Sequence, residues 1–262
     1  MNTNEDETIE LAERSIKNGV RQGTRGRYAD AIKTFDQAVV ACLKFKGDSD
    51  AVRLLAARAL GNKGAALGDF DRNSEAVKCY DAAILIYEQL AEQNSSAGLM
   101  ADQAVSVMNK GWALIKLGRE EEGFRCHHQA LKMRRQLAAD GCEWIMSDLA
   151  RSLYNVGWGY LKTERFAKAL PALDEAAGIL RSLIAAGENG HEEDLAYVLG
   201  ARADTLMYLG RLQESRDNCD EVCALFTRLA LNQDNPRFDS ALTAALKARK
   251  DIARKLQKEK PK

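Results

Sequence analysis

A period constrains this chain more than any other feature. Five arginines, Arg27, Arg72, Arg119, Arg165 and Arg211, stand 45, 47, 46 and 46 residues apart, and similar neighbours recur around each of them. Self-similarity at a spacing of a few tens of residues marks an array of supersecondary units. Each such unit buries its apolar face only against its neighbours.

Aligned at that step, the segments read as columns. Asn62-Lys63-Gly64 stands over Asn109-Lys110-Gly111 and Asn155-Val156-Gly157, with Lys17-Asn18-Gly19 above and Ala201-Arg202-Ala203 below. Glycine in a helix interior costs about 1 kcal/mol relative to alanine, so four at one site require a reason. Close approach of another helix supplies it. Further small columns follow, Ala31, Ala76, Gly123, Ala169 and Ser215, then Ala38, Ala83, Ala130, Ala176 and Val222. Bulky residues fill the positions between, among them Leu67, Leu114, Tyr160 and Leu206, and Phe35, Tyr80, His127, Leu173 and Cys219. These fall at steps of three, four and seven within each unit, so each unit is predicted to be two amphipathic helices joined by a short turn. The turn is expected at Gly26-Arg27, Asp71-Arg72, Gly118-Arg119, Glu164-Arg165 and Gly210-Arg211, where glycine suits a sharply ending helix.

The order small-x-x-bulky, then L-G-R-x-x-E-A, then aromatic-D-x-A resembles the tetratricopeptide repeat, most closely in Leu117-Gly118-Arg119-Glu120-Glu121-Glu122 and Glu75-Ala76-Val77. It covers roughly residues 10 to 231. These units exceed the usual length of about 34 residues, and they are similar to the long repeats of bacterial multi-repeat proteins and, more loosely, of kinesin light chain. The resemblance implies an all-α, right-handed α-solenoid of helical hairpins. We expect one continuous domain over residues 1–262, with repeats at about 5–46, 50–93, 98–140, 144–187 and 191–231. The segment 236–258, apolar along one side, is expected to cap the array, since the last repeat must end on a polar face. Pro171, about one turn into the second helix of the fourth unit, is expected to kink that helix or delay its start.

Several function classes have no support in these residues. The amino terminus is acidic and polar rather than signal-like, and no run of about 18 apolar residues suggests a membrane span. A cytoplasmic location is expected. The 38 basic and 38 acidic residues balance, so nucleic acid is not an expected partner despite a basic end from Lys247 to Lys262. Of the six cysteines, Cys79 and Cys126 share one repeat column and Cys219 and Cys223 occupy core columns, so reduced packing residues are expected. Cys126, His127 and His128 are adjacent, about 100° apart on a helix, and are poorly placed to share a metal ion. No cofactor is expected. Motifs of catalysis are missing, and the glutamates at 120–122 suit a helix start, so no enzymatic activity is expected.

A surface remains. The resemblance implies that the first helix of each unit lines the concave side, which would bring Arg58 and Asn62 together with Asn109, Trp112, Lys116, Arg151, Asn155, Trp158, Lys162 and Arg202. Met108, Tyr154, Tyr197 and Asp204 share those columns. Amides can pair with a peptide backbone, tryptophan supplies apolar area, and lysine or arginine holds a carboxylate. The expected function is therefore a non-catalytic scaffold that binds a peptide segment of a partner protein, through an acidic or carboxylate-bearing stretch. Carboxylate-clamp members of the resembled family use groove Asn, Lys and Arg as well. Here Gly61, Ala65, Met108 and Trp112 occupy columns where the clamp needs Asn and Lys, which points away from a chaperone tail as the ligand. Two other readings fit the same residues, a peptide-responsive sensor and a self-assembling structural subunit.

Overall fold

The computed structural model describes residues 3–259 other than 95, 189, 234 and 235. Lys260 and Lys262 of the basic tail lie outside the described residues. Among those described, eleven α-helices and no strand occur: α1 Thr3–Gly23, α2 Tyr28–Lys44, α3 Asp50–Asp69, α4 Asn73–Gln93, α5 Ala97–Lys116, α6 Glu120–Ala139, α7 Met146–Lys162, α8 Phe166–Ala185, α9 Glu192–Tyr208, α10 Leu212–Gln233 and α11 Pro236–Glu259. A single 3-10 turn, Glu143–Ile145, precedes α7. No helix is long and apolar enough to cross a membrane among the described residues. The chain divides into two compact units, residues 1–142 and 143–262.

The arginine column turns out to be a bracket around the turn inside each hairpin. The residue before each arginine has a left-handed backbone, with φ of 73° at Gly26, 61° at Asp71, 78° at Gly118, 59° at Glu164 and 74° at Gly210. Each arginine amide then donates back five residues along the chain, as from Arg119 to the Leu114 carbonyl at 2.9 Å and from Arg165 to the Tyr160 carbonyl at 2.8 Å. This Schellman closure satisfies the carbonyls that the ending helix leaves orphaned. The same arginines stand just before the second helix. Four of them reach an acid three residues on, Arg27–Asp30, Arg72–Glu75, Arg119–Glu122 and Arg211–Glu214, at 2.6–2.8 Å. Pairs of this kind are exposed and stabilise little individually, but they sit on the first turn, where negative charge is favoured. Between hairpins the stop signal differs. Ser49 and Ser96 accept from the Val52 and Leu99 amides and start α3 and α5.

Within a hairpin the small column does what its composition suggests. A Cβ on Gly64 would lie 2.7 Å from the Tyr80 ring, on Gly111 2.4 Å from His127, on Gly157 2.6 Å from Leu173 and on Gly19 2.5 Å from Phe35. The large side chain sixteen residues on fills the space that each glycine vacates. Where the column holds Ala203, the opposing residue shrinks to Cys219, and the two pack in one cluster. In unit 1, a core of Ala31, Phe35, Leu67, Ala76, Tyr80 and Leu114 runs through α2, α3, α4 and α5. In unit 2, α11 packs on α10 and buries Phe238 and Ile252, closing the apolar side of the last hairpin. Its outer residues Lys247, Lys250, Arg254 and Lys255 are exposed, as a cap requires.

Two expectations need correction. Of the two outcomes expected at Pro171, the late start does not occur, since α8 begins at Phe166 and carries the proline in its interior. It forgoes one backbone hydrogen bond there. Met108 does not face outward but is 3% exposed. The cysteines Cys42, Cys79, Cys219 and Cys223 are buried and free. Burial raises their thiols, that of Cys219 to about 11, which suppresses the reactive thiolate.

Candidate partner-binding cleft

Inside each unit, the first helices of successive hairpins touch one another, α1 with α3, α3 with α5 and α7 with α9, whereas second helices make no comparable contact. The ten expected site residues all lie on this first-helix row, but they do different things.

In unit 1 they are largely engaged with their own chain. Arg58 on α3 pairs with Asp102 on α5 at 2.8 Å, and Lys116 Nζ donates to the Gly68 carbonyl at 3.2 Å. These two links tie α5 to α3 near both ends of their contact. Asn62 Nδ2 donates to the Arg58 carbonyl of its own helix at 2.9 Å. Asn109 is half-buried, and Trp112 lies against the His127 ring with centroids 5.0 Å apart. His127 itself is fully buried, with Phe124 edge-on at 6.1 Å. Burial and the neighbouring His128 push its imidazole down to about 4, so it stays neutral near pH 7.

Arg202 belongs to a second ladder that the columns already contain. Lys63, Lys110 and Arg202 pair with Asp36, Asp81 and Asp174 of the preceding second helix, at 2.5, 2.6 and 2.5 Å, and Arg249 pairs with Asp220 in the same way. Each link joins one hairpin to the next.

Unit 2 gathers the remaining four. Arg151, Asn155, Trp158 and Lys162 lie along α7 and line two adjoining clefts. One, of about 330 Å³, runs between α7 and α9 and is lined by Arg151, Tyr154, Asn155, Asp194 and Tyr197 above Leu180. The other, of about 300 Å³, is bounded by Tyr154, Trp158 and Lys162 of α7, by Tyr197, Gly200 and Asp204 of α9, and by four alanines of α11, with Phe226 of α10 in its floor. The α10 residues beneath it, Cys219, Val222 and Phe226, are 3–4% exposed, and next to it Ile252 of α11 shares a buried cluster with Ala203 of α9 and Cys219. Lys162 stands over the Trp158 ring at 4.9 Å. Burial raises the Tyr154 phenol, with Tyr197 and Asp194 adding to the effect, and it remains a hydrogen-bond donor. Burial also raises the Asp204 carboxyl, against the opposing pull of Lys162.

Column reasoning missed Ala241, Ala244, Ala245 and Ala248, because α11 reads as a polar-faced cap. The available signal was the alanine spacing of three and four along the cap, which marks a second narrow face. Phe226 was hidden by its core column.

No family model and no curated protein matches the chain. Solved structures do. BtubC (BKLC) from P. vanneervenii is similar over 89% of this chain and 94% of its own, with a TM-score of 0.65 at 16% identity. A putative kinesin light chain of Podospora anserina with nearly identical TPR-like repeats is similar over 87% and 99%, with a TM-score of 0.62 at 14% identity. The S. pombe nuclear import adaptor Nro1 is similar over 99% and 96%, with a TM-score of 0.63 at 12% identity. Likeness at these identities speaks to backbone architecture, and the architecture is the tetratricopeptide-like α-solenoid of helical hairpins.

Proposed function

We propose that the chain is a non-catalytic interaction scaffold that captures a segment of another protein in the unit 2 cleft. One observation carries this reading. Tyr154, Trp158, Tyr197 and Phe226 converge on one concave site whose edges carry Lys162 and Asp204. Aromatic side chains with polar tips supply large contact area at little entropic cost, and they dominate the binding energy of interfaces when they line pockets. Lys162 and Arg151 are the natural partners for acidic side chains of the captured segment. Nro1, to which the fold is similar, is itself a nuclear import adaptor. On this reading Arg58 and Lys116 hold α3 and α5 together, Asn62 serves its own helix, Trp112 packs on α6, and Arg202 holds α9 to α8.

The two tryptophans, which share one column, test it. Trp158→Ala is expected to weaken capture of the partner at least tenfold while leaving thermal unfolding within a few degrees of the parent. Trp112→Ala, which strips a face from the buried His127, is expected to lower stability by about 1–2 kcal/mol and leave capture unchanged. Affinity measured by titration calorimetry and stability by denaturant melts check both. Equal loss of capture in the two variants would count against the cleft.

A further inference from the structure

The charges around the unit 2 clefts are sorted by helix. Helix α7 contributes the cations Arg151 and Lys162, and α9 contributes the anions Asp194 and Asp204. Eleven residues separate the first pair and ten the second, so each rim spans about 15–17 Å along its helix. Arg151 turns to Asp148 on its own helix and Lys162 rests on Trp158. Neither Asp194 nor Asp204 has a salt bridge among the described residues. The repeat shows how the Arg151 and Asp194 positions look when they are closed, because Arg58 and Asp102, the corresponding residues of unit 1, are bonded to each other at 2.8 Å.

We infer that the occupant of this cleft is an amphipathic helix of a partner protein, acidic along one edge and basic along the other. This rests on the cleft reading above and adds the chemistry of the ligand. Three directions have to be satisfied at once: apolar side chains down onto Trp158 and Phe226, acids toward α7 and bases toward α9. An extended strand presents side chains in only two directions, whereas a helix carries an apolar stripe flanked by two separate edges. Gly200 and the α11 alanines lower the floor, so a helix can approach closely; a Cβ on Gly200 would meet nothing within 4 Å. A wholly acidic segment fits poorly, because Asp194 and Asp204 repel one of its edges. The same sorting fixes the direction of the bound helix, since reversing it exchanges the two edges.

Three synthetic helical peptides with one shared apolar stripe test the inference on the full chain. They carry Glu on one edge and Lys on the other, Glu on both edges, or Lys on both edges, and binding is read by fluorescence anisotropy of a labelled terminus. The mixed peptide is expected to bind at least tenfold more tightly than either of the others. Asp204→Lys should improve the all-Glu peptide several-fold and Lys162→Glu the all-Lys peptide, with helicity by circular dichroism confirming that each variant folds. If all three peptides bind the parent equally and Trp158→Ala abolishes that binding, the cleft reading stands and the charge-sorted helix is overturned. If none of the three binds, the cleft itself is overturned and this inference with it.

Discussion

Units 1 and 2 place equivalent residues in the same columns and use them oppositely. In unit 1, Arg58 and Asp102 close onto each other, Lys116 ties α5 back to α3, and Trp112 is taken up by His127. In unit 2, Arg151 turns to Asp148 of its own helix rather than to Asp194, and Trp158 lines a cleft. The backbone frame is common to both, as the matching left-handed turns at Asp71, Gly118, Glu164 and Gly210 show. The difference lies in what each groove side chain finds within reach. A repeat therefore sets where a residue stands without setting whether that residue is consumed by packing or left for a partner.

The sharpest way to break this comparison uses two glycines of the first-helix row. A Cβ on Gly111 meets the His127 ring at 2.4 Å and the Gly123 carbonyl at 2.8 Å, while one on Gly200 meets nothing within 4 Å. Gly111→Ala is expected to cost about 3 kcal/mol, the upper end of overpacking penalties, because a backbone carbonyl stands in the way. Gly200→Ala should instead be neutral or stabilising by up to about 1 kcal/mol through helix propensity, yet reduce partner binding by raising the cleft floor. Urea melts of the two variants decide it, and equal losses would erase the distinction between a filled and an open groove.

Acid should act next, through unit 1. His127 is neutral when folded because its value is depressed from 6.5 to about 4. Between those values the unfolded chain binds a proton that the folded chain refuses, so stability falls as pH drops from 6.5 toward 4. The loss attributable to this residue should reach about 2 kcal/mol by pH 5. His127→Phe, which places in the column the residue type found at Phe35, should remove that share of the acid sensitivity. Denaturant unfolding of parent and variant at pH 7 and pH 5 measures it.

The smallest expected effect sharpens the claim that the frame is shared. Asp71 in unit 1 and Glu164 in unit 2 hold left-handed turns with φ near 60°. Replacing either with glycine should stabilise by roughly 1 kcal/mol, and by equal amounts, since both turns have one geometry. Unequal gains would mean that the two units differ in backbone as well as in side chains.

Most of the fold was legible in the columns. The arginine period located the turns inside the hairpins, and the glycine column announced the close approach of another helix, because both are local demands repeated at one spacing; the structure shows that approach to be made by Phe35, Tyr80, His127 and Leu173. The all-α class follows from those demands alone. The candidate site was legible only in part. Asn155, Trp158 and Lys162 were drawn from the same columns as Asn109, Trp112 and Lys116, and no columnar argument separates the two sets. What separates them is which side chains meet across helices that are far apart in sequence: Arg58 reaches Asp102 of the next first helix, whereas Arg151 turns to Asp148 of its own. Short-range periodicity encodes backbone direction and which face is apolar, whereas the gap between two packed helices is the sum of many small side-chain volumes. Only the tertiary structure carries out that sum, and it alone decided which stretch of the repeat surface stayed open.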